Sequence, residues 1–230
     1  MTLRLLRVLT AALTAAVLVM PALPASAASI VFRGAATNTS AGTSVTVTRP
    51  PNVAQGDVLV AGVALHEQVN DPINAPAGWN LFRTDLVPGD IRLSVYIHVA
   101  GAGEPASYPW SSGDNDMNVL ITAYGGLSTS NPVVASASEP DGSADRRIVA
   151  PSLPVPVSGS MLVMFAMIEG PTPNRIRPPS GFTERAERAR HPGIECSDMV
   201  FPSPGDTGPK VARARHAADH IGTILALRAA

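Results

Sequence analysis

Gln55-Gly56-Asp57-Val58-Leu59-Val60-Ala61-Gly62-Val63-Ala64-Leu65 and Ser158-Gly159-Ser160-Met161-Leu162-Val163-Met164-Phe165-Ala166-Met167-Ile168 are two versions of one element. In each, a tight turn built on a glycine launches an unbroken apolar run. Glycine supplies the positive φ that other residues resist. A short run with no polar face suits a strand that is covered on both sides. The offset between the two is 103 residues, and it holds outward from them: Val45 falls on Ile148, Pro51 on Pro154, Pro76 on Pro179, Gly78 on Gly181, Trp79 on Phe182 and Ala123 on Ala226. Aligned glycines, prolines and apolar runs at one long period mark repeated supersecondary structure. The repeat predicts an internal duplication, residues 44–127 against 147–230.

The rest of the chain agrees with an all-β reading. Ser44 to Thr48 alternates, with Val45 and Val47 on one face, and Arg92 to Val99 does the same with Leu93, Val95, Ile97 and Val99 inward and Arg92, Ser94, Tyr96 and His98 outward. Period-2 alternation bounded by turn residues is the pattern of a half-buried strand. Further strands are expected at 30–34, 79–84, 118–124, 147–150, 182–187, 198–201 and 221–228. The 22 prolines crowd the joints, as befits residues that cannot donate to a ladder. Only Pro209 to Asp219, rich in Ala and Arg, reads as a helical turn. The expected fold is an antiparallel β-sandwich or jelly roll, in which the halves form either two tandem sandwiches or one shared one. The short link from Gly125 to Arg146 favours a single shared domain over 28–230, since each half alone would have a thin core.

Composition narrows the partners. Arg4 and Arg7, the apolar stretch Val8 to Met20 and Ala25-Ser26-Ala27 have the layout of a secretory signal peptide, 1–27, with a secreted, extracellular product expected. No later segment is long and apolar enough to read as a membrane span. Without Arg4 and Arg7 the balance is 15 basic against 18 acidic residues, which gives no reason to expect nucleic acid as a partner. The single cysteine, Cys196, can form no internal disulfide, and a buried thiol is the commoner fate.

Three motifs in order, Pro50-Pro51 with Gly56-Asp57-Val58-Leu59-Val60, then Pro76-Ala77-Gly78-Trp79, then Gly103-Glu104-Pro105-Ala106-Ser107-Tyr108, carry a resemblance. The chain resembles a recurrent module of secreted actinobacterial proteins and phage tail fibres with "GDvLva", "P-x-GW" and "epasYtw" segments, and the closing Ile224-Leu225-Ala226-Leu227-Arg228 resembles that module's ending. The resemblance spans nearly all of 28–230. It implies a lectin-like β-sandwich at a cell surface and brings no catalytic set. The basic stretch Arg175 to Arg190 departs from the pattern.

Candidate site residues follow from chemistry. Tyr108 and Trp110 lie two apart, hence on one strand face, and Asp114, Asn115 and Asp116 follow closely. Aromatic faces beside carboxylates and amides suit a polysaccharide or cell-wall glycan, though Tyr and Trp also pack in cores. Asp114 with Asp116, and Asp141 with Asp145, carry hard oxygens of the kind calcium takes, and the same residues build ordinary turns. His216 and His220 lack the glutamate a HExxH motif places directly after its first histidine. There is no Gly-x-Ser-x-Gly elbow or phosphate-binding glycine loop. Glu67, Glu104, Glu139 and Glu169, near predicted strand ends, are the acids a glycan hydrolase or lyase would draw on. Arg175, Arg177, Arg185, Arg188, Arg190 and His191, interleaved with Glu184 and Glu187, read as a compensated surface or as a polyanion site. The leading expectation is a secreted non-enzymatic carbohydrate- or cell-surface-binding module, and the alternative is a structural or adhesive module.

Overall fold

The computed structural model describes residues 29–66, 72–113 and 116–230, so the segment read as a signal peptide, and Glu67, Asp114 and Asn115, lie outside the described residues. The described chain is all β: β1 (Val31–Ser40), β2 (Ser44–Thr48), β3 (Val58–His66), β4 (Asn80–Val87), β5 (Ile91–Val99), β6 (Ser107–Ser111), β7 (Met117–Gly125), β8 (Val133–Ala150), β9 (Pro154–Val155), β10 (Ser160–Ile168), β11 (Ile176–Arg177), β12 (Thr183–Arg188), β13 (Gly193–Phe201), β14 (Gly205–Asp206) and β15 (Lys210–Leu227). Among these residues no helix is long and apolar enough to cross a membrane.

Two antiparallel sheets form the sandwich. The first runs β1-β7-β3-β5-β4, and the second runs β11-β15-β10-β13-β12 with β8 also paired to β15. The pairings recur at the sequence offset. Leu59 opposes Ala123 as Leu162 opposes Ala226, and the bulge between Leu81 and Arg83 returns between Glu184 and Ala186. Along β13 the offset shortens to 101, so that Val95 opposite Arg83 becomes Cys196 opposite Ala186. The turn before each β4-like strand also recurs, with Trp79 N donating to Pro76 O and Phe182 N to Pro179 O. Gly78 and Gly181 hold φ values of 83° and 84° there.

The apolar runs explain the layering. Val58, Val60 and Ala64 of β3 face Met161, Val163, Phe165 and Met167 of β10 across a central core. The alternate residues Leu59, Ala61, Val63 and Leu65 face outward under the β2–β6 pair. In the second half Leu162, Met164, Ala166 and Ile168 face outward under residues of β8, β9 and β15. Both central strands are thus buried on both faces, as their lack of a polar stripe predicts. The sheets approach closely at Gly62, where a Cβ would stand 2.5 Å from Phe165 Cδ1. A polar link crosses the same interface: the Tyr124 hydroxyl donates to Asp198 Oδ2 at 2.9 Å, which also takes Arg185 Nε at 2.8 Å. Burial pushes the Tyr124 hydroxyl well above its ordinary pKa, so it remains a donor. Cys196 is buried in the central core as a free thiol, and burial pushes its pKa up as well.

Two expectations need correction. Pro209 to Asp219 is no helical turn, because β15 begins at Lys210 and pairs with β8. Ala212 and Ala214 are buried while Arg213 and Arg215 are exposed, a period of two. On β5 the face expected outward is covered: Tyr96 packs in the outer core under β2–β6 and Arg92 is buried. Alternation names two faces but not what lies above the second.

Phe165→Ala should cost about 3–5 kcal/mol in urea unfolding, and Gly62→Val about 1–3 kcal/mol by overpacking. Because the two positions touch, Gly62→Val with Phe165→Leu should cost less than the sum of the two single changes.

Candidate functional site

The aromatic pair is placed by β6. Val47 opposes Tyr108 and Val45 opposes Trp110, so both rings point into the outer core of the first half. Each is 1% exposed. Trp79 meets Trp110 and Tyr108 edge-on, at 5.2 Å between centroids in each case, and Tyr96 meets Trp110 at 5.1 Å. Neither ring offers a face to a sugar, and the expected stacking platform is corrected to core. Asp116, with φ of 59°, stands immediately before β7.

The Glu104 motif builds scaffold too. The Tyr108 hydroxyl donates to Glu104 Oε1 at 2.7 Å and Gly101 N donates to Oε2 at 2.8 Å. His98 Nε2 lies 2.9 Å from Oε1, and its Nδ1 lies 2.9 Å from Gly78 O. The ring stacks on Trp79 at 5.1 Å. Desolvation pushes the Glu104 carboxyl up, but the bonds from Tyr108, Gly101 and His98 outweigh it and hold its pKa below the ordinary value. The shared carboxylate therefore pins the 101–108 loop to the "GW" turn.

The acidic segment 141–145 lies within β8, where Asp141 Oδ2 faces His220 Nε2 of β15 at 3.7 Å and the other oxygens are used locally. Asp141 Oδ1 accepts from Ser143 N at 2.7 Å, and Asp145 Oδ1 accepts from Arg146 N and Arg147 N at 2.5 and 3.3 Å. These are turn bonds of the Asx type. His216 and His220 lie on extended β15, where His220 is buried with Nδ1 3.0 Å from Ala218 O.

A concavity lined by charged side chains lies on the second half. Asp145, Arg146 and Arg147 from β8, Arg175 to Arg177 at β11, Glu184 and Glu187 from β12, and Arg213 to Arg215 from β15 line a groove of about 670 Å³. Its six arginines are all exposed and face three carboxylates. Glu187 anchors the β11 edge, accepting from Ile176 N at 2.5 Å and from Arg175 Nη1 at 3.0 Å. Asn174, buried, holds the preceding loop by donating to Glu169 O and accepting from His216 N. Glu195 is buried opposite Glu187 on β13. Burial pushes its pKa well up; Ser197 opposes this, and the like charges of Glu184, Glu187 and Asp198 add to it.

The groove sits where the two halves differ most. The pairs Ser44–Ser111, Val45–Trp110 and Val47–Tyr108 of the first half are replaced by Arg147–Arg213, Ile148–Ala212 and Ala150–Lys210. Of the basic stretch read from the sequence, Arg175 and Arg177 line this groove. Arg185 turns inward to Asp198 and over the Phe32 ring, and Arg188 reaches Asn38. Arg146, Arg147, Arg213 and Arg215 were not anticipated as site residues; the arginine–alanine alternation of 212–215 was the available signal. Comparison with protein families, with curated proteins and with solved structures finds no match to the chain.

Two carboxyls should move stability in opposite directions. Glu104, held low when folded, stabilises above its unfolded pKa of about 4.3 and loses that as pH falls, so Glu104→Gln should cost about 1–3 kcal/mol at pH 7 and flatten the acid limb. Glu195, raised when folded, costs nothing below about pH 4.3 and destabilises progressively as pH rises towards its folded pKa, so Glu195→Gln should raise Tm at pH 7 and leave it unchanged at pH 4. Thermal unfolding from pH 3 to 8 checks both.

Proposed function

We propose that the chain is a secreted, non-enzymatic surface module that binds an anionic cell-surface polysaccharide or wall polymer through the arginine groove of its second half. The observation that carries the proposal is the set of six exposed arginines gathered from three separated segments onto one groove. Arginine presents a planar fork of donors that matches carboxylate and phosphate oxygens in pairs. Ile176 and Ala214 supply an apolar floor on which the carbon skeleton of a polymer can lie. Glu184, Glu187 and Asp145 limit the net positive charge, which favours a polymer of spaced charges over a dense polyanion. The recurrence of pairings at the 103-residue offset supports a duplication in which the first copy kept its aromatic outer core and the second exchanged it for charge.

A structural or adhesive module is the second reading. It is favoured by Leu81, Phe82 and Leu86, exposed along β4 at the edge of the first sheet.

Titration of the chain with polyglucuronate and with wall teichoic acid tests the first reading. Binding should weaken steeply between 50 and 500 mM salt, roughly as charge screening requires, and Arg147→Ala/Arg213→Ala should lower affinity about tenfold or more with Tm unchanged. A neutral glucan should not bind. Equal binding by the double variant would remove the groove from the account, and a concentration-dependent dimer lost in Leu81→Lys would favour the second reading.

A further inference from the structure

We propose that His66, Glu169 and His191 form a zinc site that ties the two sheets together at one end of the sandwich. His66 is the last residue of β3, Glu169 directly follows β10, and His191 precedes β13 by two residues. His66 Nε2 and His191 Nε2 each lie 3.1 Å from the same oxygen, Glu169 Oε1. One ligand atom from each of the three lies within 4.8 Å of the other two. A tetrahedral zinc with bonds of about 2.0–2.1 Å has ligand–ligand edges of about 3.3 Å, so these atoms need move only slightly to close around an ion. Two neutral imidazole nitrogens and a carboxylate are a donor set that suits zinc and leaves a fourth position open. All three residues are half-buried, so the site is sheltered and still reachable from solvent.

The repeat supplies a second, independent argument. At the offset of 103, His66 is equivalent to Glu169, and at the offset of 101 that holds along β13, Asp90 is equivalent to His191. Asp90 stands beside the cluster, close enough to interact electrostatically with Glu169 and His66, so equivalent positions of the two halves converge on this end of the sandwich. Asn174, which donates to Glu169 O, fixes the loop that presents the glutamate. Calcium is disfavoured because two of the three donors are nitrogens.

Competition between the full chain and a chromophoric chelator, with zinc alone as the metal, tests the site. One zinc per chain at micromolar affinity or tighter is expected, with a rise in Tm that EDTA reverses. Glu169→Gln and His191→Ala should each weaken binding about 100-fold or more, since even outer-shell partners of metal ligands carry about 10–100-fold. His216→Ala, outside the cluster, should bind as the parent does. Cobalt should give the intense visible bands of a tetrahedral centre in the parent and none in Glu169→Gln. Far-ultraviolet circular dichroism confirms that each variant is folded. No zinc bound at about 50 μM, equal binding by folded Glu169→Gln and His191→Ala, or displacement by millimolar calcium would overturn the site.

Discussion

The contact of Phe165 with the backbone at Gly62 governs the architecture. At the 103-residue offset the two are equivalent positions, yet one carries the largest side chain on its strand and the other has none. Two phenylalanines there could not both fit, and two glycines would leave a void where protein interiors tolerate few. The pair is complementary only because the halves differ. Around it Val58, Val60, Leu93 and Val95 of the first sheet meet Met161, Val163, Met167 and Ile194 of the second. Burial on this scale is the main term that offsets the chain's conformational entropy, since no disulfide assists it.

Each half adds its own outer layer, and there the two halves differ. In the first, Tyr108, Trp110, Trp79 and Tyr96 interlock over the sheet, and Glu104 ties their loop to His98 and the Gly78 turn. The motifs that looked most like a ligand site are the ones this packing requires. In the second half Lys210 and Ala212 stand at the equivalent positions, the layer is built from Ile148, Ala150, Val155 and Phe182 instead, and the arginines of β8, β11 and β15 border it. The candidate groove lies where the pairings of the two halves diverge, and the residues at matching positions serve as its support.

Much of the fold was legible from local pattern. Ser44–Thr48 is a strand over the residues expected, and the two unbroken apolar runs are the central strands. What was missed depends on partners far away in sequence. The 18-residue strands β8 and β15 carry many polar residues, and they persist because they pair with one another along most of their length. Likewise Tyr108 and Trp110 were legible as residues of one face, but only the β2–β6 pairing decides that the face is inward. The groove joins segments near 146, 176 and 214, and the His66–Glu169–His191 cluster joins three more, so no single stretch shows either assembly whole.

The mutual dependence of the two sheets is tested most directly by dividing the chain. Residues 29–130 and 131–230, produced separately and then mixed, can be followed by urea unfolding and by mass in solution. The account predicts that neither half alone unfolds cooperatively as a monomer, because each exposes its share of the central core, and that mixing restores one cooperative transition in a one-to-one complex. A monomeric first half with its own sharp transition would contradict it, and would show that the Gly62–Phe165 interface joins two independently stable units.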